Sequence, residues 1–305
     1  METATEHYAI SAIHAQMEQL GVLGAVPWLV HLLTCIPGLN GPYEKYAKYC
    51  SEKISERRSK WSSESDKTPT DVISWLLKAM DENDRSAPPG DQALEEEGRL
   101  VIAAGSDTVG TTLANAMFFL ASNPSVYKRL QKEVDQAAEK SPETFNNDMI
   151  ARIPYIEGII KETLRLKPVV PSGMSRVTPP EGLEIDGEWI PGNTIVVVPQ
   201  HIMHRDERCF VRPLEFLPER WLEEGKDLLL DDQAYFPFVI GPYACIGKQM
   251  SLLQMRGVLR RIAMDFDVSF APGEDGIAFD TEFKDTFTVT LPPLQLMFTE
   301  RRIGN

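Results

Sequence analysis

Hydrophobic and polar positions follow a helical period through the first half of the chain and change to alternation in the second. Residues 42–60, which begin PYEKYAKYCSEKISERR, set apolar side chains on one face and charge on the other, as an amphipathic helix does. TDVISWLLKAMDEN repeats the pattern from Thr70, with Thr70 or Asp71 placed to cap it, and DRSAPPGDQ reads as a loop. From Leu94 to Leu120 apolar or small residues recur at Gly98, Val101, Gly105, Val109, Leu113 and Met117, always in steps of three or four. That spacing predicts one helix of roughly 40 Å, long enough to cross a whole domain. Asn123 and Pro124 end it, SVYKRLQKEVDQAAEK opens the next helix, and IPYIEGIIKETLRL forms another. Beyond that point the period becomes two. LEIDGEWI carries Asp186-Gly187 between two short alternating runs, a hairpin signal, and TIVVVPQ is predicted as a buried strand. FDVSF and TFTVTLPPLQLMF alternate again within residues 264–300. The predicted class is mainly α with a small β portion.

Two segments break the pattern. AAGSDT, residues 103–108, sits in the middle of the long helix although glycine costs about 1 kcal/mol there and Thr and Asp are poor helix formers. The hydroxyl of Thr108 can bond back to the Ala104 carbonyl, opening the helix and leaving room for a ligand or water beside Gly105. The alternative is a new helix capped by Ser106 or Asp107, which the unbroken apolar steps on both sides disfavour. Residues 21–39, GVLGAVPWLVHLLTCIPGL, are uncharged over 19 positions but interrupted by Pro27, His31 and Pro37, so a buried or membrane-dipping segment is expected rather than a span.

Composition narrows the function classes. The 305 residues are 43% hydrophobic and 25% charged, an ordinary globular balance. A net charge of −14 without a basic stripe argues against nucleic acid as a partner. The four cysteines (35, 50, 209, 245) form no CxxC pair and the five histidines no HExxH, so neither a zinc site nor a disulfide framework is expected. The N-terminus shows no secretory signal pattern.

Two constellations remain. In AYFPFVIGPYACIGKQM, Cys245 lies between Gly241 and Gly247 with Phe238 upstream and a helical pattern from about Ile246. Glycines let backbone come close to a flat partner, and turn amides, a helix N-terminus and a metal would each stabilise a thiolate. On these residues alone a structural cysteine and a metal-ligating one both stand. Glu162 and Arg165 of KETLRL share a helix face in an apolar setting, and FLPERWL supplies a second charge cluster, Glu219 and Arg220. Buried together, they would form a knot rather than a solvated pair.

Taken in order, AGSDT, ETLR, PERW and FVIGPYACIG resemble the haem-thiolate monooxygenases of the cytochrome P-450 family, over almost the whole chain. The likeness is closest to the membrane-associated eukaryotic type, and GPYACIGK resembles fungal members. It implies a cytochrome P-450 fold lacking its N-terminal part: lid-like helices and the apolar segment over 1–60, the central helix over 94–120, a haem-binding core over 152–261 and terminal strands over 264–300. The resemblance makes Cys245 the axial iron ligand, with Phe238, Gly241, Tyr243, Gly247, Arg176, Ala104 and Gly105 around the haem. Glu162, Arg165 and Arg220 lock the region behind it, and Asp107 and Thr108 pass protons toward dioxygen. Ile102, Ala103, Val169, Val170, Met174 and Phe287 would line an apolar substrate. Tyr243 departs from the family, which usually carries Arg or His there. Implied partners are an NADPH-dependent reductase, dioxygen and an apolar small molecule, with membrane contact through residues 21–39; complete members of this type sit on the cytosolic face of the endoplasmic reticulum. Two competing readings are a non-catalytic remnant that binds haem weakly or not at all, and a reductase-independent thiolate-haem isomerase or dehydratase.

Overall fold

A computed structural model describes residues 8, 11–15, 17, 28, 41–140 and 153–301. They fall into two compact units, Met1–Asp107 and Thr108–Asn305. In the first, helix α1 (Gly41–Ser63) and helix α2 (Val72–Asp81) pack with the start of helix α3 (Asp91–Ser122). Asp71 rather than Thr70 caps α2. Its carboxylate accepts from the Ser74 amide at 2.8 Å while the Ser74 hydroxyl takes the Asp71 amide at 3.0 Å, closing a capping box. One apolar cluster joins Ile54, Trp61, Leu77 and Leu94, and a second joins Ala12, Ile13, Tyr46 and Cys50.

Helix α3 runs through AAGSDT without a break, so no new helix starts at Ser106 or Asp107. Ser106 Oγ donates to the Ile102 carbonyl at 2.6 Å and Thr112 Oγ1 to the Thr108 carbonyl at 2.8 Å, which hides both hydroxyls in the helix itself.

The second unit is built on helix α4 (Pro124–Lys140), helix α5 (Pro154–Leu166) and helix α7 (Lys248–Asp265), with the short helix α6 (Gln200–Met203) and helix α8 (Ile277–Thr281) between strands. The C-terminal turns of α3 enter its core with Phe118, Phe119 and Leu120, joined by Leu130 and Val134 of α4, Ile156, Ile159 and Ile160 of α5, and Met255 and Leu259 of α7. Each such side chain contributes about 1.5–3 kcal/mol by leaving water. Phe119 stacks on Phe216 with ring centroids 4.4 Å apart. Gly158 decides how α5 seats: a Cβ there would stand 2.7 Å from the Pro218 carbonyl oxygen, so only glycine lets the helix backbone rest on the tight turn Pro218–Trp221. One helical turn later on the same face, that contact delivers Glu162.

The strands form antiparallel pairs: β1 (Arg176–Val177) with β4 (Ile195–Val196), β2 (Leu183–Ile185) with β3 (Glu188–Ile190), β5 (Phe266–Phe270) with β8 (Leu296–Glu300), and β6 (Lys284–Thr286) with β7 (Thr288–Thr290). The Asp186-Gly187 turn has positive φ at both residues, 50° and 82°, as the hairpin signal required. TIVVVPQ corrects its expectation. It yields only the two residues of β4, with two rungs to β1; Ile195 is 70% exposed, and Val197 and Val198 are exposed as well. An apolar run is buried only where a neighbour covers both faces, and among the described residues none covers these. Apart from Trp28, residues 21–39 lie outside the described residues; among the described residues no helix is long and apolar enough to cross a membrane.

Candidate functional site

In the second unit, Glu162, Arg165 and Arg220 are buried out of reach of solvent. Arg165 spends all five guanidinium N–H groups. Nε and Nη2 donate to the two Glu162 oxygens at 2.9 and 2.8 Å, and the other three bonds go to the carbonyls of His204, Pro213 and Glu215. Arg220 reaches Glu162 Oε1 at 3.3 Å and the carbonyls of Val211, Arg212 and Leu228. The Leu217 amide and Trp221 Nε1 complete the carboxylate at 3.1 and 2.9 Å. Two cations share one anion, and the surplus positive charge is balanced by inward-turned carbonyl dipoles. Burial still pushes the pKa of Arg220 down against the pull of Glu162. Glu219 does not join: it accepts from Tyr155 and Arg129 at 2.8 and 3.2 Å, on the wetter side of the turn.

The same unit displays Cys245 at its surface, as the sequence left open. The loop before it is tightly determined. Val239 N donates to the Phe236 carbonyl at 2.9 Å, Ala244 N to Gly241 at 3.0 Å and Cys245 N to Phe238 at 2.8 Å. Gly241 has φ 80°, and Val239, a β-branched residue, is held at φ 58°, a conformation such residues occupy only under constraint. Helix α7 begins at Lys248 with Gly247 as its N-cap, two residues later than the apolar pattern suggested. Residues 240–246 are all exposed, Ile240 at 74% and Tyr243 at 76%, so a thiol stands among uncovered apolar side chains. Phe238 is half-buried beneath. The guanidinium of Arg176 lies 5.1 Å from the centroid of the Tyr243 ring, bringing two of the expected residues together by a cation–π contact.

Of the remaining candidates, Val169 and Phe287 belong to segments that are tied to each other: the Val289 amide donates to the Val169 carbonyl at 3.0 Å, and Ser172 bonds Asp285. Phe287 is exposed at the tip of the β6–β7 hairpin with φ 82°, Met174 is exposed, Val170 is half-buried and Val169 is buried. Thr108, the first residue of this unit, is half-buried on α3. In the first unit, Ala104 and Gly105 are exposed, whereas Ile102 and Ala103 pack on the Ala12–Ile13–Tyr46–Cys50 cluster. Asp107 is nearly buried there, with His14 Nε2 at 3.4 Å from its Oδ1.

His204 was not singled out by any motif, yet it sits fully buried beside the charge knot, accepting from the Phe236 amide at Nε2, 3.2 Å. Burial pushes its pKa down from 6.5 to about 4. The folded chain therefore keeps a neutral ring that the unfolded chain protonates. The stability this neutrality protects is intact above pH 6.5 and is lost as pH falls toward about 4, roughly 3 kcal/mol in all. Urea midpoints measured across that window should fall for the wild type and flatten for His204→Gln; parallel curves would refute the assignment.

The cytochrome P450 family pattern matches residues 22–298. The chain belongs to the cytochrome P450 family. It is 41% identical over 289 residues to cytochrome P450 monooxygenase eupD of a Phoma species, covering 93% of this chain and all of that one. Cytochrome P450 monooxygenase FCK2 of Fusarium pseudograminearum is 34% identical, and tryprostatin B 6-hydroxylase of Aspergillus fumigatus 33%; each covers 99% of this chain, which spans only 53% and 52% of theirs. The solved cytochrome P450DA heme domain superposes with a TM-score of 0.77 at 22% identity, over 99% of this chain and 62% of that one, a match of fold. Cytochrome P450 proteins are haem-thiolate monooxygenases, and the fold class expected from the motifs is the one found.

Within this P450 chain, sequence reasoning passed over Trp221, although it ends the very PERW motif that supplied Arg220. His204 and Val239 carried no signal at all, because a single histidine or valine has no period or spacing to betray it.

Proposed function

We propose that the chain acts as a haem-thiolate monooxygenase, or as the C-terminal part of one, on an apolar organic substrate. The observation that carries the reading is the solvent-facing thiol of Cys245 on a constrained glycine-bracketed loop of exposed apolar side chains. A flat, largely apolar group that takes one sulfur ligand fits this surface: it would cover Ile240, Tyr243 and Ile246 and turn exposed area into buried area. Cys245 would hold the iron, Phe238, Gly241 and Gly247 would shape the backbone on the sulfur side, and Arg176 with Tyr243 would meet the acidic edge of the porphyrin. When bound, haem supplies activation of dioxygen and transfer of one oxygen atom, with electrons from NADPH through a reductase.

The chain's own part is to donate charge from sulfur, keep water out and deliver protons. Val170, Met174 and Phe287 provide apolar surface on the second unit, while Val169 is buried. On α3, Ile102 and Ala103 precede Ala104 and Gly105, whose missing or minimal side chains leave room, and Asp107 and Thr108 follow as the acid and alcohol of a proton path. The test is to express the full chain, add haem, reduce it and bind carbon monoxide, then supply NADPH and a reductase. A strongly red-shifted band together with reductase-dependent product supports the reading; turnover without reductase would favour an isomerase or dehydratase, and no band would leave a remnant. Thr108→Ala should keep the band while lowering product per NADPH by about tenfold or more in favour of hydrogen peroxide. Unchanged coupling would remove Thr108 from the path.

A further inference from the structure

The carboxylate of Asp107 is asymmetric. Its side chain is 7% exposed; Oδ1 faces Nε2 of His14 at 3.4 Å, while Oδ2 is buried with no hydrogen-bond partner among the described residues. A carboxylate oxygen in that state is expensive unless something is meant to reach it. His14 is different: 38% of its side chain is open to solvent. It is carried beside Ala12 and Ile13, which anchor its segment in the cluster with Tyr46 and Cys50 of α1, against Ile102 and Ala103 of α3. The nearly buried acid is thus joined to water through one imidazole. We propose that His14 is the solvent-side positioning residue of the proton path, loading Asp107 through Oδ1 and leaving Oδ2 free to pass the proton on; this rests on the reading of Asp107 given above.

The transfer balances without another reactant. Imidazolium gives the Nε2 proton to Oδ1, becoming neutral, and recovers one proton from solvent. The protonated carboxyl turns about Cβ–Cγ, a motion no bond to Oδ2 from the described residues opposes. Histidine suits the task because its charge changes between about pH 5 and 8. The other titratable groups of the elements packed there have partners or burial of their own. Burial pushes Tyr46 and Cys50 up, so both stay neutral, and Tyr46 donates to the Arg99 carbonyl. Arg99 itself is turned to Glu95, Glu96 and Tyr43; Lys53 pairs with Glu56, and Tyr8 packs on Tyr49.

The experiment follows the His14 ring by NMR titration in the full chain and in Asp107→Asn. Loss of the carboxylate should lower the titration midpoint; identical midpoints would overturn the pairing. That arm needs no cofactor, so it stands even if the haem reading falls. With reductase and NADPH, His14→Ala should lower product per NADPH at least about threefold and flatten its pH profile between about pH 5 and 8, and His14→Gln, which can keep a hydrogen bond but not carry a proton, should restore folding without restoring the profile. A wild-type profile in His14→Gln would reduce the residue to packing and overturn the proposal.

Discussion

Glu162→Ala will cost the folded chain about 3–5 kcal/mol, because it strands two buried guanidinium groups instead of removing one interaction. The carboxylate now receives two N–H groups from Arg165, one from Arg220, the Leu217 amide and the Trp221 indole. Alanine leaves these donors facing a hole. The carbonyl oxygens that hold the rest of each guanidinium cannot follow, since they belong to the backbone of residues 204–228, itself seated by the close contact at Gly158. In a domain of this size the loss should lower the thermal midpoint by roughly 10 °C or leave the chain insoluble. Glu162→Gln should be nearly as damaging, because an amide NH2 would be pressed against cations. A change below about 1 kcal/mol in urea unfolding would mean that the knot is solvated after all.

The second large effect is chemical rather than structural. Cys245→Ser should abolish the red-shifted carbon monoxide band completely while moving stability by no more than about 0.5 kcal/mol. The two outcomes separate because the loop is held by backbone bonds, Cys245 N to the Phe238 carbonyl among them, and the side chain is exposed. Serine keeps every one of those bonds and loses only the soft ligand. Retention of the band would place the iron on another side chain, and unfolding would make the cysteine structural.

What could be read in advance depended on whether a residue acts through a period or through a neighbour far along the chain. The long helix was legible through AAGSDT because its apolar steps continue on both sides, and the Asp186-Gly187 hairpin because only a few residue types tolerate positive φ there. Glu162 and Arg165 were legible as a pair; their depth was settled only when Pro218–Trp221 closed over them. TIVVVPQ failed for the converse reason: hydrophobicity records what a strand can bury and says nothing of whether a neighbour arrives. His204, Trp221 and Val239 act through partners tens of residues away or through one dihedral angle, and neither leaves a local mark.

The open loop around Cys245 also gives the chain a built-in labelling site. Cys50 is wholly enclosed, Cys209 is half-covered and Cys245 stands in water, so an alkylating reagent should modify Cys245 first among the described thiols, and a bound porphyrin should protect it. The rate of that one modification then counts occupied molecules in a crude preparation, before any spectrum is taken.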